Sequence, residues 1–341
     1  FLEEVAEDLC TVCSHRFAGD FVLSGWKAKG PPISFPQEAG SHGGPGFTET
    51  HAFALVPRSA PLLPRGESPV RHGDLRAAAL EHLRRLPRRK RRFATENGTR
   101  TFRVMSYNVH SCIGTDGKLD PARIAKVIAA YNPDVIALQE LDVGRARTQH
   151  LDQAQEIARD LEMDFHFHPA LEIIEERYGD AVLSRLPMKL LHAGPLPTTS
   201  GRRQREPRGA LLVELEFNKT AIRCLNTHLG LSPAERLRQA EALLGDEWLG
   251  RSQQPTIICG DLNASAGSRV YTLFAGRFED AQLCVADRRR VATWSSTLPV
   301  RRIDYIFVSE HFEVVQCFAP RNSSTRVASD HLPVIADVTL R

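Results

Sequence analysis

The sequence predicts an α/β protein of four layers, in which two stacked mixed β-sheets are flanked by helices and preceded by a largely irregular N-terminal segment. Three observations support this prediction. From about residue 102 onward, short apolar segments typical of strands alternate with segments of helical periodicity. No internal repeat of fixed period is visible, which disfavours a solenoid or a propeller. Residues 1–100, by contrast, are rich in Gly and Pro and show little periodicity.

This contrast predicts two regions, an irregular or linker-like segment over 1–100 and a folded α/β domain over 101–341. The first region contains a basic run at 84–92. Such a run favours either an electrostatic clamp for nucleic acid or anionic lipid, or a solvated charged linker, and the linker is the commoner outcome.

Each element of the second region follows from local pattern. Strands are predicted from short apolar or alternating runs, at 102–109, 134–138, 164–168, 180–185, 188–191, 208–217, 221–227, 256–259, 302–308, 312–319 and 333–340. Helices are predicted from apolar spacing of three and four residues, at 121–131, 151–163, 233–248 and near 270–274. Asp120 and Ser232 stand where helix N-caps are expected, and Asn218-Lys219 marks a hairpin turn.

Composition excludes several classes of protein. The net charge is +3, and the positive excess falls in residues 1–100, so the predicted domain is near neutral and lacks the charge of a strongly basic nucleic-acid groove. Seven Cys without repeated spacing disfavour a disulfide framework. No apolar run approaches the length of a membrane span and no signal peptide is visible, so a cytoplasmic location is expected.

Polar residues recur where predicted strands end. Asp261 and Asn263 follow the apolar strand that ends at Gly260, two residues apart, so both side chains can face one cleft. The simpler interpretation of this pair is a strand followed by an Asx-type turn. The same pattern recurs at other strand ends, and such ends are where α/β proteins collect functional groups; the recurrences are at Asn108, Glu140, His228, Asp304 and Asp330-His331. A carboxylate such as Glu140, placed after apolar residues, favours a hard cation such as Mg²⁺.

The motifs that carry these residues resemble, in order, those of the endonuclease/exonuclease/phosphatase superfamily, from about residue 102 to the C-terminus. They are Ser106-Tyr107-Asn108, Leu138-Gln139-Glu140, Leu183-Ser184-Arg185, Asn226-Thr227-His228-Leu229, Gly260-Asp261-Leu262-Asn263, Ile303-Asp304-Tyr305-Ile306 and Ser329-Asp330-His331-Leu332-Pro333. Each motif alone is weak evidence for this resemblance, whereas all seven in the same order are specific evidence. The superfamily includes DNase I-like nucleases, abasic-site endonucleases, sphingomyelinases and inositol polyphosphate phosphatases.

The resemblance implies roles for individual residues. Glu140 would be the principal ligand of Mg²⁺, with Mn²⁺ as the alternative ion, and Asn108 and Asp330 would assist it.

The resemblance also implies how the phosphate is handled. His331, bonded to Asp304, would face the phosphorus, and Asp261 would orient or deprotonate the attacking water. His228 and Asn263 would hold phosphate oxygens. Either Asp261 or His331 is the general base.

The sequence therefore predicts a Mg²⁺-dependent hydrolase of phosphate esters, more specifically a nuclease-like phosphodiesterase. Two alternatives stay open: an enzyme of the same fold acting on phospholipid or inositol-phosphate head groups, and a non-catalytic module that binds nucleic acid or anionic lipid. Two departures from the resemblance bear on substrate. Asp180 stands where many relatives carry Asn, adding a negative charge near the expected cleft. The basic loop 201–208 is either a grip for an anionic substrate or a solvated loop.

Overall fold

Twelve strands form two six-stranded sheets in the computed structural model, which describes residues 101–173, 176–198, 206–285 and 291–341. The first sheet has the strand order β11-β12-β1-β2-β4-β3 and the second has the order β5-β6-β7-β8-β10-β9. The expectations for 1–100, including the basic run 84–92, lie outside the described residues, as does most of the loop 201–208.

The strands of the first sheet are β1 (Thr101–Asn108), β2 (Val135–Val143), β3 (Asp164–Ile173), β4 (Glu176–Ser184), β11 (Phe312–Phe318) and β12 (Val334–Leu340). Those of the second sheet are β5 (Met188–Pro195), β6 (Gly209–Phe217), β7 (Thr220–His228), β8 (Thr256–Asp261), β9 (Glu279–Asp280) and β10 (Asp304–Val308). Within each sheet one central pair is parallel, β1 with β2 and β7 with β8. The sheets are therefore mixed, as the sequence predicts.

The α-helices of the described residues are α1 (Pro121–Tyr131), α2 (Gln153–Leu161), α3 (Pro233–Leu244), α4 (Arg269–Ala275), α5 (Ala281–Cys284) and α6 (Ser323–Ala328). Helix α1 begins where Asp120 accepts a hydrogen bond from the backbone amide of Arg123, so the expected cap is confirmed. None of the helices described combines the length and hydrophobicity that spanning a bilayer requires.

Three apolar clusters define the layers. The central cluster joins residues of both sheets, such as Val104 of β1 and Ile257 of β8. A second cluster packs the first sheet against α1 and α2, and a third packs the second sheet against α3 and α4. The predicted four-layer α/β sandwich is thus confirmed for the part of the chain that the structure describes.

Several element boundaries differ from the sequence prediction. Helix α3 ends at Leu244 with Gly245 after it, because Trp248 and Leu249 leave the helix and pack into the third cluster. Ser232 occupies the N-cap position of this helix as predicted, but its side chain makes no capping hydrogen bond. Strand β2 continues beyond Leu138 through a register shift to Val143, and helix α6 was not anticipated.

Candidate active site

The strand directions bring the predicted residues to one edge of the sandwich. The parallel pairing of β1 with β2 ends with Asn108 opposite Gln139, next to Glu140. In the second sheet, parallel strands β7 and β8 end with His228 opposite Asp261. Functional side chains from both sheets therefore meet at the ends of their central strands.

Two antiparallel neighbours complete this edge from the opposite direction. Strand β10 starts at Asp304, which pairs directly with Asp261 of β8. Strand β12 starts at Val334, opposite Ser106 of β1, so the preceding Asp330 and His331 lie beside the end of β1. The chain therefore delivers side chains to one place from six separate segments.

Glu140 reaches the site through the irregularity in β2. Its backbone has a φ of 62°, and the register between β2 and β4 shifts between Leu138 and Leu141. A bulge of this kind redirects one side chain out of the regular alternation. The Asn108 amide donates to Glu140 Oε1 at 2.9 Å and to Asp261 Oδ2 at 3.1 Å, so it links the two carboxylates.

His331 is paired with Asp304 in the buried part of the site. Its Nδ1 lies 3.0 Å and 3.1 Å from the two carboxylate oxygens of Asp304, which places the proton on Nδ1. Its Nε2 lies 3.7 Å from Asp261 Oδ2. Burial lowers the pKa of His331, but the charge and hydrogen bond of Asp304, with the charge of Asp261, raise it overall to about 10. His331 is therefore held as an imidazolium at neutral pH.

Asp261 lies between the two histidines. Its Oδ2 is 3.6 Å from Nε2 of His228, and burial together with the charge of Asp304 raises the pKa of Asp261 to about 7. Asp261 Oδ1 also accepts the backbone amide of Asn263 at 2.8 Å, so the simpler Asx-turn interpretation holds alongside the functional one.

His228 is neutral and already hydrogen-bonded. Burial lowers the pKa of His228 well below its usual value. The Asn263 amide lies 3.1 Å from His228 Nε2, and the same amide donates to the backbone oxygen of Leu229 at 2.9 Å. In this arrangement Nε2 is an acceptor, so donation to a substrate oxygen requires the proton on Nε2 and a turned Asn263 amide.

The predicted cation ligands differ in how they are presented. Burial raises the pKa of Glu140, as expected for a carboxylate in a protein cleft without a counterion. Asp330 accepts from Trp294 Nε1 at 3.2 Å through Oδ2, while its Oδ1 is buried without a hydrogen-bond partner. Asn108 turns its amide nitrogen toward Glu140, and its oxygen accepts from the backbone amide of His110 at 3.1 Å. Asn108 thus positions Glu140 in this arrangement, and its role as a ligand stays a prediction.

The donor set suits a divalent cation. Asp330 Oδ1, which has no hydrogen-bond partner and lies 3.7 Å from His110 Nδ1, and the half-buried carboxylate of Glu140 are hard oxygen ligands of the kind that Mg²⁺ and Mn²⁺ prefer. Asp261, Asp304 and His331 form the only group of three His, Cys, Asp or Glu side chains in the described residues whose donor atoms lie within 4.8 Å of one another. In that group His331 and Asp304 already bond each other, so fewer of its donor atoms are free to bind an ion.

Asp180 corrects one sequence expectation. Its Oδ1 accepts the backbone amide of Glu140 at 3.3 Å. Burial raises the pKa of Asp180 to about 8 despite the opposing charge of Arg208. At neutral pH Asp180 is therefore mostly uncharged, and the extra negative charge expected near the cleft is largely absent.

Sequence reasoning missed two contributions to the site. Trp294 holds Asp330 from a loop with no motif of its own. Gln139 and Asn226 join the two sheets beneath the site, with Gln139 Nε2 donating to Asn226 Oδ1 at 2.7 Å. Asn226 then donates to the backbone oxygens of Leu138 and Ala181, each at 2.8 Å. Both Gln139 and Asn226 stand inside the quoted motifs, which was the available signal.

This two-sheet sandwich, with carboxylates, amides and a carboxylate-bound imidazole at one edge, defines a class of hydrolases that act on phosphate esters. The chain belongs to the Endonuclease/Exonuclease/phosphatase family, whose model matches residues 105–331, more than half of its length. Comparison with curated protein sequences gives no significant match.

Solved structures share the fold. An endonuclease/exonuclease/phosphatase from Beutenbergia cavernae is 26% identical, with a TM-score of 0.59 over 71% of this chain and 72% of that chain. The human Nocturnin catalytic domain, solved with a bound sulfate anion, is 23% identical, with a TM-score of 0.55 over 71% and 95% of the two chains. A mannosyl-6-phosphatase from Bacteroides thetaiotaomicron is 20% identical, with a TM-score of 0.53 over 70% and 99%. The last two likenesses concern the fold alone.

Proposed function

We propose that this phosphoester hydrolase is a Mg²⁺-dependent phosphodiesterase of the nuclease-like type, with Mn²⁺ as an alternative ion. The observation that carries the proposal is the buried His331–Asp304 pair facing Asp261, within a chain of contacts that runs on to Glu140. Hydrolysis of a phosphodiester needs a base for water, positive charge near the phosphoryl oxygens and donors that hold the phosphate, and these residues supply each.

The two candidate bases are separated by their surroundings. His331 is flanked by the carboxylates of Asp304 and Asp261, so its proton is retained and it acts as a cationic donor to the phosphate. Asp261 is the carboxylate that faces both histidines, and it takes the proton of the attacking water. Asn263 and His228 hold phosphate oxygens beside it.

Glu140 and Asp330 would hold the cation, with Asn108 keeping Glu140 in place. When bound, the cation supplies a Lewis acid that neutralises charge on the phosphoryl oxygens. The cost of burying Glu140 as a carboxylate is offset in the same way, because the ion is its counter-charge.

A substrate panel tests this function. The full chain is offered plasmid DNA, an abasic-site duplex, sphingomyelin, an inositol phosphate and a small synthetic diester, each with Mg²⁺, with Mn²⁺ and with EDTA. We expect turnover of a diester that EDTA abolishes and that either ion restores. Preference for sphingomyelin or for the inositol phosphate would instead favour the head-group alternative, and absence of metal-dependent turnover on every substrate would overturn the proposal.

The variant Glu140→Gln tests the metal assignment. Removing the charge of Glu140 is expected to weaken Mg²⁺ binding, measured by calorimetry, and to lower kcat/KM at subsaturating Mg²⁺ by about 10-fold to 100-fold. The matched control is Glu216→Gln, near the β6–β7 turn at the end of β6 away from the site, which should alter neither quantity. Unchanged Mg²⁺ affinity in Glu140→Gln would contradict its role as a ligand.

A further inference from the structure

Arg208 is a buried cation beside the site, and it has no role in the proposed function as described so far. It lies immediately before β6 and only 5% of it is exposed. Ala210 of β6 pairs with Thr227 of β7, the residue before His228. The start of β6 is thus at the same edge of the second sheet as the proposed phosphate-binding residues.

The hydrogen bonds of Arg208 leave one donor unsatisfied. Nη1 donates to Glu206 Oε1 at 3.1 Å. The Nε–H group is buried and has no hydrogen-bond partner among the described residues. A buried, unpaired donor on a charged group is costly, so such a group in a cleft points to a missing acceptor.

The charge of Arg208 acts on both halves of the site. Burial is the largest influence on the pKa of Asp180, Glu140 and His228, and in all three cases the guanidinium of Arg208 also lowers the pKa. Glu140 belongs to the first sheet and His228 to the second. These two residues face each other, with His228 Nε2 3.8 Å from Glu140 Oε1.

The neighbouring carboxylates do not account for this buried charge. The side chain of Glu206 is 45% exposed, so solvent screens its charge and weakens its pairing with Arg208. Among the described residues, Glu206 is the carboxylate within ion-pair distance of the guanidinium, with Nη1 to Oε1 at 3.1 Å. A guanidinium buried to this degree is therefore paired with a carboxylate that lies largely in solvent, which leaves much of its charge to be balanced by another anion.

We propose that Arg208 binds a non-bridging oxygen of the substrate phosphate through its Nε–H, making it a phosphate-binding residue of this site. The proposal rests on the hydrolase function given above and adds a specific anion contact to it. Guanidinium groups match phosphate geometry and keep their charge at all relevant pH values. Arg208 would thus add a fixed positive charge to the phosphate-binding residues at the start of β6 and the end of β7.

Three variants of the full chain test the role of Arg208. Arg208→Gln removes the charge and the donor, and Arg208→Lys keeps the charge but lacks the Nε–H. Arg223→Gln is the matched control, because Arg223 is also buried but donates to the backbone oxygens of Leu249 and Trp248. Arg223 pairs with Thr256 where the parallel pairing of β7 with β8 begins, at the end of that pairing away from His228.

The readouts are the inhibition constant of inorganic phosphate against a small diester, kcat/KM for that diester, and the Mg²⁺ dissociation constant from calorimetry. For Arg208→Gln we expect phosphate to bind at least about 10-fold more weakly and kcat/KM to fall about 10²-fold. Arg208→Lys should lie between Arg208→Gln and the wild type, because a charge without the guanidinium fork retains part of the contact. The control should stay within about 2-fold of the wild type in both quantities.

Two results would overturn the proposal. One is phosphate binding equal to wild type in both Arg208 variants. The other is a change in Mg²⁺ affinity that accounts for the whole loss of kcat/KM, since Arg208 would then only position Glu140. Thermal unfolding of each variant shows whether it is folded. If Arg208→Gln is unfolded, the comparison of Arg208→Lys with the wild type decides the test alone. Binding of phosphate is also measured directly by calorimetry in the presence of Mg²⁺, so a wild type without turnover would contradict the hydrolase function while Arg208 could still be assessed.

Discussion

His331 owes its chemical character to Asp304. The carboxylate of Asp304 meets Nδ1 at 3.0 Å in a buried environment, so the ring is fixed in orientation and keeps its proton. Nε2 lies beside Asp261 Oδ2, and in the proposed function it would face the substrate. The same imidazole on a solvated loop would titrate near neutral pH and turn freely, and it would serve poorly as a donor to a phosphate.

The variant His331→Ala tests this role. We expect kcat to fall by about 10²-fold to 10⁴-fold with the fold intact, because a donor aimed at the phosphate is lost while little apolar area is removed. Asp304→Asn should cost about as much, since the imidazolium loses its counter-charge. The control is His311→Ala, whose ring bonds Ser309 Oγ at 3.0 Å where β11 begins. Near wild-type kcat in His331→Ala would show that this residue does not act on the phosphate.

Stability should also depend on pH through His331. Its folded pKa of about 10 exceeds the usual value of 6.5, so the native state binds a proton that the unfolded chain releases. This contribution to the free energy of unfolding is complete below about pH 6.5 and is lost as pH rises through about 10. From about pH 8 to about pH 9.5 the free energy of unfolding should therefore fall, by about 1 kcal/mol per pH unit more than in His331→Gln. Urea unfolding in EDTA measures both slopes, and equal slopes would exclude the raised pKa.

For individual residues, the sequence predicted which side chains lie together in the site, but it did not predict their hydrogen-bond partners or protonation states. The motif residues Asn108, Glu140, Asp261 and His331 do meet, because strand order brings strand ends together. Hydrogen-bond direction depends on neighbours that no motif reveals. The backbone amide of His110 occupies the oxygen of Asn108, and burial keeps Asp180 protonated.

Strand β8 approaches β7 so closely at Gly260 that no side chain fits there. A Cβ added to Gly260 would lie 2.1 Å from the backbone oxygen of Thr227. The glycine before Asp261 is therefore required by the packing of two parallel strands and does not merely mark a turn. Separation of these strands would move Asp261 away from His228, its parallel partner.

Gly260→Ala should accordingly lower both stability and activity. We expect the free energy of unfolding to fall by at least about 2 kcal/mol, as for overpacked cores, and kcat to fall because Asp261 is displaced. Gly267→Ala is the matched control, since a Cβ at Gly267 has no neighbour within 4 Å. Urea unfolding and diester turnover of the two variants provide the comparison. A Gly260→Ala protein as stable as Gly267→Ala would mean that β7 and β8 tolerate a wider spacing.

Elements were predictable where local chemistry decides them. Asp120 with Pro121 starts α1, and Asn218 and Lys219, both with positive φ, turn β6 into β7. Boundaries set by tertiary contacts were not predictable. Trp248 continues the helical pattern of α3 in sequence, but it lies beyond the end of the helix and packs into the third cluster from there. The irregularity of β2 depends on its partner β4.

The molecule as a whole forms its site only when the two sheets pack together. Asn108, Glu140 and His331 adjoin strands of the first sheet, whereas Asp261 and Asp304 belong to the second. The buried Gln139–Asn226 hydrogen bond joins the sheets directly below these residues. Because buried amides have strict geometric needs, this bond favours one register of the sheets over others. The candidate site therefore forms only in a chain whose two sheets are correctly packed.

Since both sheets and all the proposed site residues lie within residues 101–341, this segment should carry the activity by itself. We expect a protein that lacks residues 1–100 to hydrolyse a small diester with kcat/KM within about 3-fold of the full chain, and to lose that activity in EDTA. Glu140→Gln in both lengths shows whether the same site is measured. If residues 1–100 instead serve binding, the shortened protein should keep its rate on the small diester and lose affinity for plasmid DNA or anionic vesicles. A folded 101–341 protein without metal-dependent turnover, beside an active full chain, would show that the site needs a contribution from residues 1–100.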